Sequence, residues 1–327
     1  MDPIDPTLVS LRVKRAQELG FSPGQLRGDQ WQHVAHGVVR PAYFAVDPTA
    51  ARVADAVALM GRANVLGGWA SLWAQGNRWF DGFDRGGDPR DVLIHCLAGS
   101  QLRVRPGIIP SQADLHPDEV DSLAHYDVAT LARSAYDEMR VAGSLRDAVV
   151  VLDMAVSTTS GVAHTTLAAV RRVVESHHKT RGIVQARNAL DLGTSRSASP
   201  WETRTRLLAQ LDVGITSLQV NVPVFDLFGT LLGIADLIDP ETGLVIESDG
   251  SGHREAQKHT DDNVREEKFE RAGLVVCRVT SLDHAHRWAT VGRINSAWAD
   301  AGRMRKRLWT LEQPDWWASW LPARRWA

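Results

Sequence analysis

The sequence predicts an α/β protein: a C-terminal mixed sheet flanked by helices, preceded by a mostly helical region with a small winged-helix-like module at the N-terminus. Three observations predict it. Beyond residue 196 the apolar runs follow a helix–strand–strand–helix–strand order, and the piece from 244 to 280 has the length of a βαβ crossover, so its two strands should be parallel. Between 47 and 190 the apolar residues recur mostly at helical spacing. The first 45 residues read as a helix, a short second helix and a hairpin-like run.

Taken in order, Leu8 to Leu19 forms a helix stopped at Gly20, "FSPGQLRGDQW" a turn and short helix, and "HVAHGVVRPAYF" a β-hairpin or strand. This piece suits a winged helix-turn-helix module or a small structural cap, and it carries little basic charge. "PTAARVADAVALMGR" and "NVLGGWASLWAQG" read as helices; Trp69 and Trp73 stand four apart on one face, which belongs to the core. "DVLIHCLA" and "QLRVRPG" read as a strand pair, and "DVATLARSAYDEM" to "TLAAVRRVVESHH" as mostly amphipathic helix. The doublet His177–His178 has no partner at ligand spacing and reads as the solvated end of a helix.

"GTSRSASP", residues 193 to 200, is a linker of small polar residues and marks a boundary. After it come the helix "SPWETRTRLLAQL", the extended "SLQVNVPVF", the strands "LLGIADLID" and "LVIESD" about the turn "PETG", a helix opened by Thr260 and closed at Gly273, and the strand "LVVCRVT". The segments are therefore 1–45, winged-helix-like; 46–195, mostly helical; 196–290, the α/β domain; and 291–327, a tail rich in Trp and Arg. Such a tail suits contacts within the chain or between subunits, and can also stack on nucleic acid.

Composition narrows the function classes. With 327 residues, 44% hydrophobic and 23% charged, and a net charge of −2, nothing argues for bulk attraction to nucleic acid or membrane. Cys96 and Cys277 are far apart in apolar runs and read as buried reduced thiols. "MDPIDPTLVS" lacks the features of a signal peptide, and nowhere do about 18 apolar residues run together. A cytoplasmic location without a membrane partner is expected.

The stretch "ESDGSGH", 247 to 253, carries the candidate chemistry. Alternation puts Val245, Glu247 and Asp249 on one face of a strand, and hairpin pairing sets Asp236 opposite or diagonal to Glu247. Two such carboxylates make part of the oxygen shell that Mg²⁺, or Mn²⁺, accepts. Gly250 and Gly252 permit a sharp turn, and His253 lies just beyond, where an imidazole can move protons. Glu202 adds an acid from the preceding helix. It either completes a capping box with Ser199 and pairs with Arg206, or contacts metal or water.

These residues resemble the PD-(D/E)XK nuclease superfamily. "SPWETRTRLL", "GIADLIDPETGLVIESDGSGH" and "DDNVREEKFERAGLVVCRVT" are similar to its branch related to very-short-patch-repair endonucleases, over roughly residues 196 to 285. The upstream "LGFSPGQLRGDQWQHVAHGVVRPA" and "NVLGGWASLWAQG" resemble the N-terminal part of abortive-infection-type antitoxins. The resemblance implies metal binding by Asp236 and Glu247, support from Glu202, Asp249 and His253 in the active centre, and Asp262 and Arg265 opening the next helix. Two positions depart from the pattern: Asp249 stands where the superfamily usually has lysine, and Ile234 where a basic residue is expected. The lysine's task is then lost, or falls to His253, Lys258, Arg265 or Lys268. The implied function is Mg²⁺-dependent hydrolysis of DNA phosphodiesters. The alternative is a non-catalytic, antitoxin-like DNA-binding regulator on a degenerate nuclease fold. A toxin-like protein and a second copy of the chain are the candidate protein partners.

Overall fold

The computed structural model describes residues 10–43, 47–123, 125–249 and 265–319. It is mixed α/β, with three sheets, and divides into two units: Met1–Ala155 with Val162–Asp191, and Val156–Gly161 with Leu192–Ala327.

The first unit begins with β1 (Leu11–Arg12), α1 (Val13–Glu18), β2 (Trp31–Ala35) and β3 (Val38–Pro41), the strands forming an antiparallel sheet in the order β1-β3-β2. The expected helix over 8–19 is shorter, because Leu11 and Arg12 pair with Val39 and Val38. The expected second helix is one 3₁₀ turn, Gln25–Arg27. Ala16, Leu26 and Val39 make a core too small to stand alone. Accordingly the segment is fastened to α2 (Pro48–Leu59): Arg12 donates to the carbonyls of Ala58, Leu59 and Met60, and Ser10 and Arg40 both reach Asp55. Residues 10–43 thus belong to the first unit.

The region 46–195, expected to be mostly helical, contains a five-stranded mixed sheet. Its strands are β4 (Asn64–Leu66), β5 (Val92–Cys96), β6 (Ile108–Ser111), β7 (Val120–Leu123) and β8 (Tyr126–Ala129), in the order β6-β5-β4-β8-β7. Strands this short show no period of their own, and central β4 is buried on both faces, so it lacks the alternation that would announce it. The run expected as one helix splits at Gly67 and Gly68 into β4 and α3 (Gly68–Ala74). β5 pairs not with "QLRVRPG" but with β4, antiparallel, and with β6, which runs parallel to it after the turn at Gly107. Helices α4 (Leu131–Val141), α5 (Leu145–Val156), α6 (Leu167–Ser176) and α7 (Ile183–Leu192) follow. Trp69 is buried, its indole N–H donating to Asp91 O; Trp73 is half-buried beneath the Arg78 guanidinium.

The second unit holds α8 (Pro200–Leu208), β9 (Gln219–Asp226), β10 (Leu231–Asp239), β11 (Leu244–Asp249), α9 (265–272), β12 (Val275–Thr280), α10 (Arg287–Arg303), β13 (Trp309–Thr310) and α11 (Asp315–Ser319). Its sheet has the order β12-β11-β10-β9-β13. β11 and β12 are parallel, as the length of the crossover requires; the other pairs are antiparallel. Alternation along β10 and β11 builds two cores: Leu237 and Ile246 pack with Ala209, Ile294 and Ala301, while Ile238 and Val245 pack with Phe269, Ala272 and Trp309. The described part of the 291–327 tail is therefore integral. It completes α10, adds an edge strand and buries Trp309 and Trp317.

Both cysteines are buried and free. Among the described residues no helix is long and apolar enough to cross a membrane.

Candidate active site

Three elements of the second unit, α8, β10 and β11, carry the carboxylates Glu202, Asp236 and Glu247. α8 starts at Ser199, whose hydroxyl accepts from the Glu202 N–H at 3.2 Å, with Pro200 in the first turn. The Glu202 carboxylate turns inward, and its Oε2 accepts from the Ala198 N–H and from Asn221 Nδ2, both at 2.7 Å. Arg206, the expected partner of Glu202, donates to Leu192 O and Gln210 instead. Burial, followed by the neighbouring charge of Asp236, raises the Glu202 carboxyl to about 7. Glu202 is therefore a group that exchanges protons near neutrality.

Asp236 and Glu247 come from the β10–β11 hairpin. The register pairs Leu237 with Ile246 and Ile238 with Val245, so its continuation sets Asp236 opposite Glu247, as the hairpin pattern predicts. Asp236 Oδ2 accepts from the Ser248 N–H at 2.8 Å, which fixes the half-buried carboxylate against β11. Glu247 is buried, and its Oε2 accepts from Arg265 on α9 at 2.5 Å. The Arg265 stem crosses over Gly233, where an added Cβ would lie 2.7 Å from Arg265 Cγ. Of the cations expected from the sequence to take a lysine's task, Arg265 is thus beside the Glu247 carboxylate, whereas Lys268 is exposed. Asp249 is half-buried at the end of β11, paired in register with Thr280. Gly250, Gly252, His253, Lys258 and Asp262 lie outside the described residues.

Asn221 was not singled out by sequence reasoning. It is buried on β9 with φ of 50°, and its side-chain amide joins Arg196 O to Glu202. A signal was present, since an asparagine interrupts the apolar run "QVNVPVF". Beside the acids, the Thr205 hydroxyl lies 3.2 Å from Ser248 Oγ and 3.2 Å from His284 Nε2, and Trp201 packs on the His284 ring.

The first unit holds a second polar cluster and a correction. His177 is not at a solvated helix end; it is 5% exposed, with Nε2 2.7 Å from Glu119 Oε1. The same carboxylate binds Arg133, which binds Asp137, which binds His95. These partners lie far from His177 in sequence, so spacing could not reveal them. Among the described residues, His116, Glu119 and His177 are the group of three metal-ligating side chains whose donor atoms lie within 4.8 Å of one another.

Comparison with family models, curated proteins and solved structures finds no match.

Proposed function

We propose that the second unit is a metal-dependent DNA endonuclease of the PD-(D/E)XK type, with Asp236 and Glu247 as metal ligands and Glu202 beside them. The observation that carries this reading is the facing of Asp236 and Glu247 across the β10–β11 hairpin, with Glu202 on α8 near enough to Asp236 that its charge helps raise Glu202 to about 7. Like charges held together at a strand end are costly unless something positive joins them. Their all-oxygen donor set fits Mg²⁺ or Mn²⁺. When bound, such an ion polarises the scissile phosphate and makes water more acidic.

The chain's own residues have separate tasks. Asp236 and Glu247 hold the site from a rigid hairpin. Asn221 and the Ala198 N–H orient Glu202, which can take up or release a proton near neutral pH. Arg265 offsets the charge of Glu247 and is the residue proposed for the phosphate contact that the superfamily's lysine usually makes. His253, outside the described residues, is the proposed proton-transfer group, and Asp249, at the end of β11, is the further proposed acid of the active centre. DNA is the proposed substrate.

One observation favours the second reading, a non-catalytic DNA-binding regulator: Arg265 already neutralises Glu247 from within the chain. On that reading the N-terminal segment is a shortened winged helix that contacts DNA, and a toxin-like protein is the partner. Calorimetric titration with Mn²⁺ separates the two. The nuclease reading predicts that the wild-type chain binds one site more than the Asp236→Asn/Glu247→Gln variant. Identical titrations would leave the regulator as the account.

A further inference from the structure

The cluster in the first unit has the chemistry of a different metal. Pro117–Glu119 is a single 3₁₀ turn that leads into β7 and ends on Glu119, which is 2% exposed. Glu119 Oε2 accepts from the His116 N–H at 3.1 Å and from Arg133 at 2.6 Å. Those two bonds hold the carboxylate still and leave Oε1 directed at His177 Nε2, 2.7 Å away. His177 ends α6 and lies against two rings, with centroids 4.7 Å from His116 and 5.3 Å from Tyr136.

His177 is hydrogen-bonded through Nε2 to Glu119 Oε1. Its Nε2 also lies 3.1 Å from Arg133 NH1. NH1 carries two N–H groups, which go to Asp114 O and Glu119 Oε2, so Nε2 is left to Glu119 Oε1. A divalent cation can replace the proton between Nε2 and Glu119 Oε1, and His116 lies close enough to join them, the three donor atoms being within 4.8 Å of one another. Arg133 then keeps Glu119 Oε2, Asp137 at 3.2 Å and Asp114 O at 2.7 Å. In that arrangement it orients the ligating carboxylate, as outer partners of metal ligands generally do.

We propose that His116, Glu119 and His177 bind Zn²⁺. Two imidazoles and one carboxylate are a zinc donor set with a fourth position left open, and they suit Mg²⁺ poorly. Glu119 lines a cavity of about 520 Å³ together with Gln75, Asp118, Thr130, Arg172 and Ser176. The half-exposed His116, with 35% of its side chain accessible, gives the ion a route in. The site is independent of the nuclease reading, since its residues and its preferred metal both differ.

The test uses the full-length chain carrying Asp236→Asn and Glu247→Gln, stripped of metal, so that the carboxylate site of the second unit does not contribute. Titration with Zn²⁺ is expected to show one site and a raised melting temperature, and Co²⁺ is expected to give the absorption bands of a tetrahedral ion. Adding His116→Ala, at a half-exposed position where the fold should survive, is expected to weaken Zn²⁺ binding about tenfold or more; His177→Ala should do the same. Absence of Zn²⁺ binding in the parent would overturn the proposal, leaving Arg133 as the resident cation of a structural ion network. Equal binding before and after both histidine substitutions would overturn it as well.

Discussion

Glu202 sets the proton balance of the acidic site. In an unfolded chain its carboxyl has the ordinary value of 4.5; in the fold it rises to about 7. The folded state therefore holds the proton more tightly, and the stability that this contributes is full below about 4.5 and is lost as pH rises through 7. Glu202→Gln, which keeps an oxygen for Ala198 and Asn221, should match the wild type at pH 4. It should become more stable than the wild type by pH 8, by on the order of 3 kcal/mol. Urea unfolding at the two pH values checks this; a constant difference would mean that Glu202 is not held protonated. At this scale the sequence was informative where chemistry is local. The hairpin pattern brought Asp236 and Glu247 together because alternate residues share a face and the turn is short. It could not choose Arg265 among four cations, because that contact depends on how α9 crosses Gly233.

Among the elements, β13 tests how far the C-terminal segment supports the acidic site. Trp309 is buried at the sheet edge, in the core that also holds Val245 and Phe269. Trp309→Ala should therefore destabilise the second unit by about 3–5 kcal/mol, the usual cost of emptying so large a volume. Chemical denaturation followed by tryptophan fluorescence would measure it. A cost below about 1 kcal/mol, as for an exposed side chain, would show that the segment only decorates the surface. The longer elements were legible: α2, the β10–β11 hairpin and the parallel β11–β12 pair follow from periodicity, capping and crossover length. The first unit's sheet was not. Its strands have three to five residues, and in β4 and β8 most positions are buried, so period-2 alternation cannot develop. β13, with two residues, is legible only as an edge partner of β9.

The whole molecule divides its chemistry between units. The second unit carries the oxygen-rich group on its sheet, and the first carries a buried ion network around Arg133. The network was illegible because Glu119, Arg133 and His177 are joined only by tertiary packing. With a net charge of −2, the proposed DNA binding would have to come from local cations, and it should then weaken as salt is raised, in proportion to the phosphates contacted. The central claim is that Asp236 and Glu247 serve phosphodiester hydrolysis, and nicking of supercoiled plasmid with Mg²⁺ or Mn²⁺ tests it most directly. The wild-type chain should nick, and the Asp236→Asn/Glu247→Gln variant, folded to the same circular dichroism spectrum, should not. Equal nicking by the variant would contradict the site. Absence of nicking by a wild-type chain that binds the metal would contradict the catalysis.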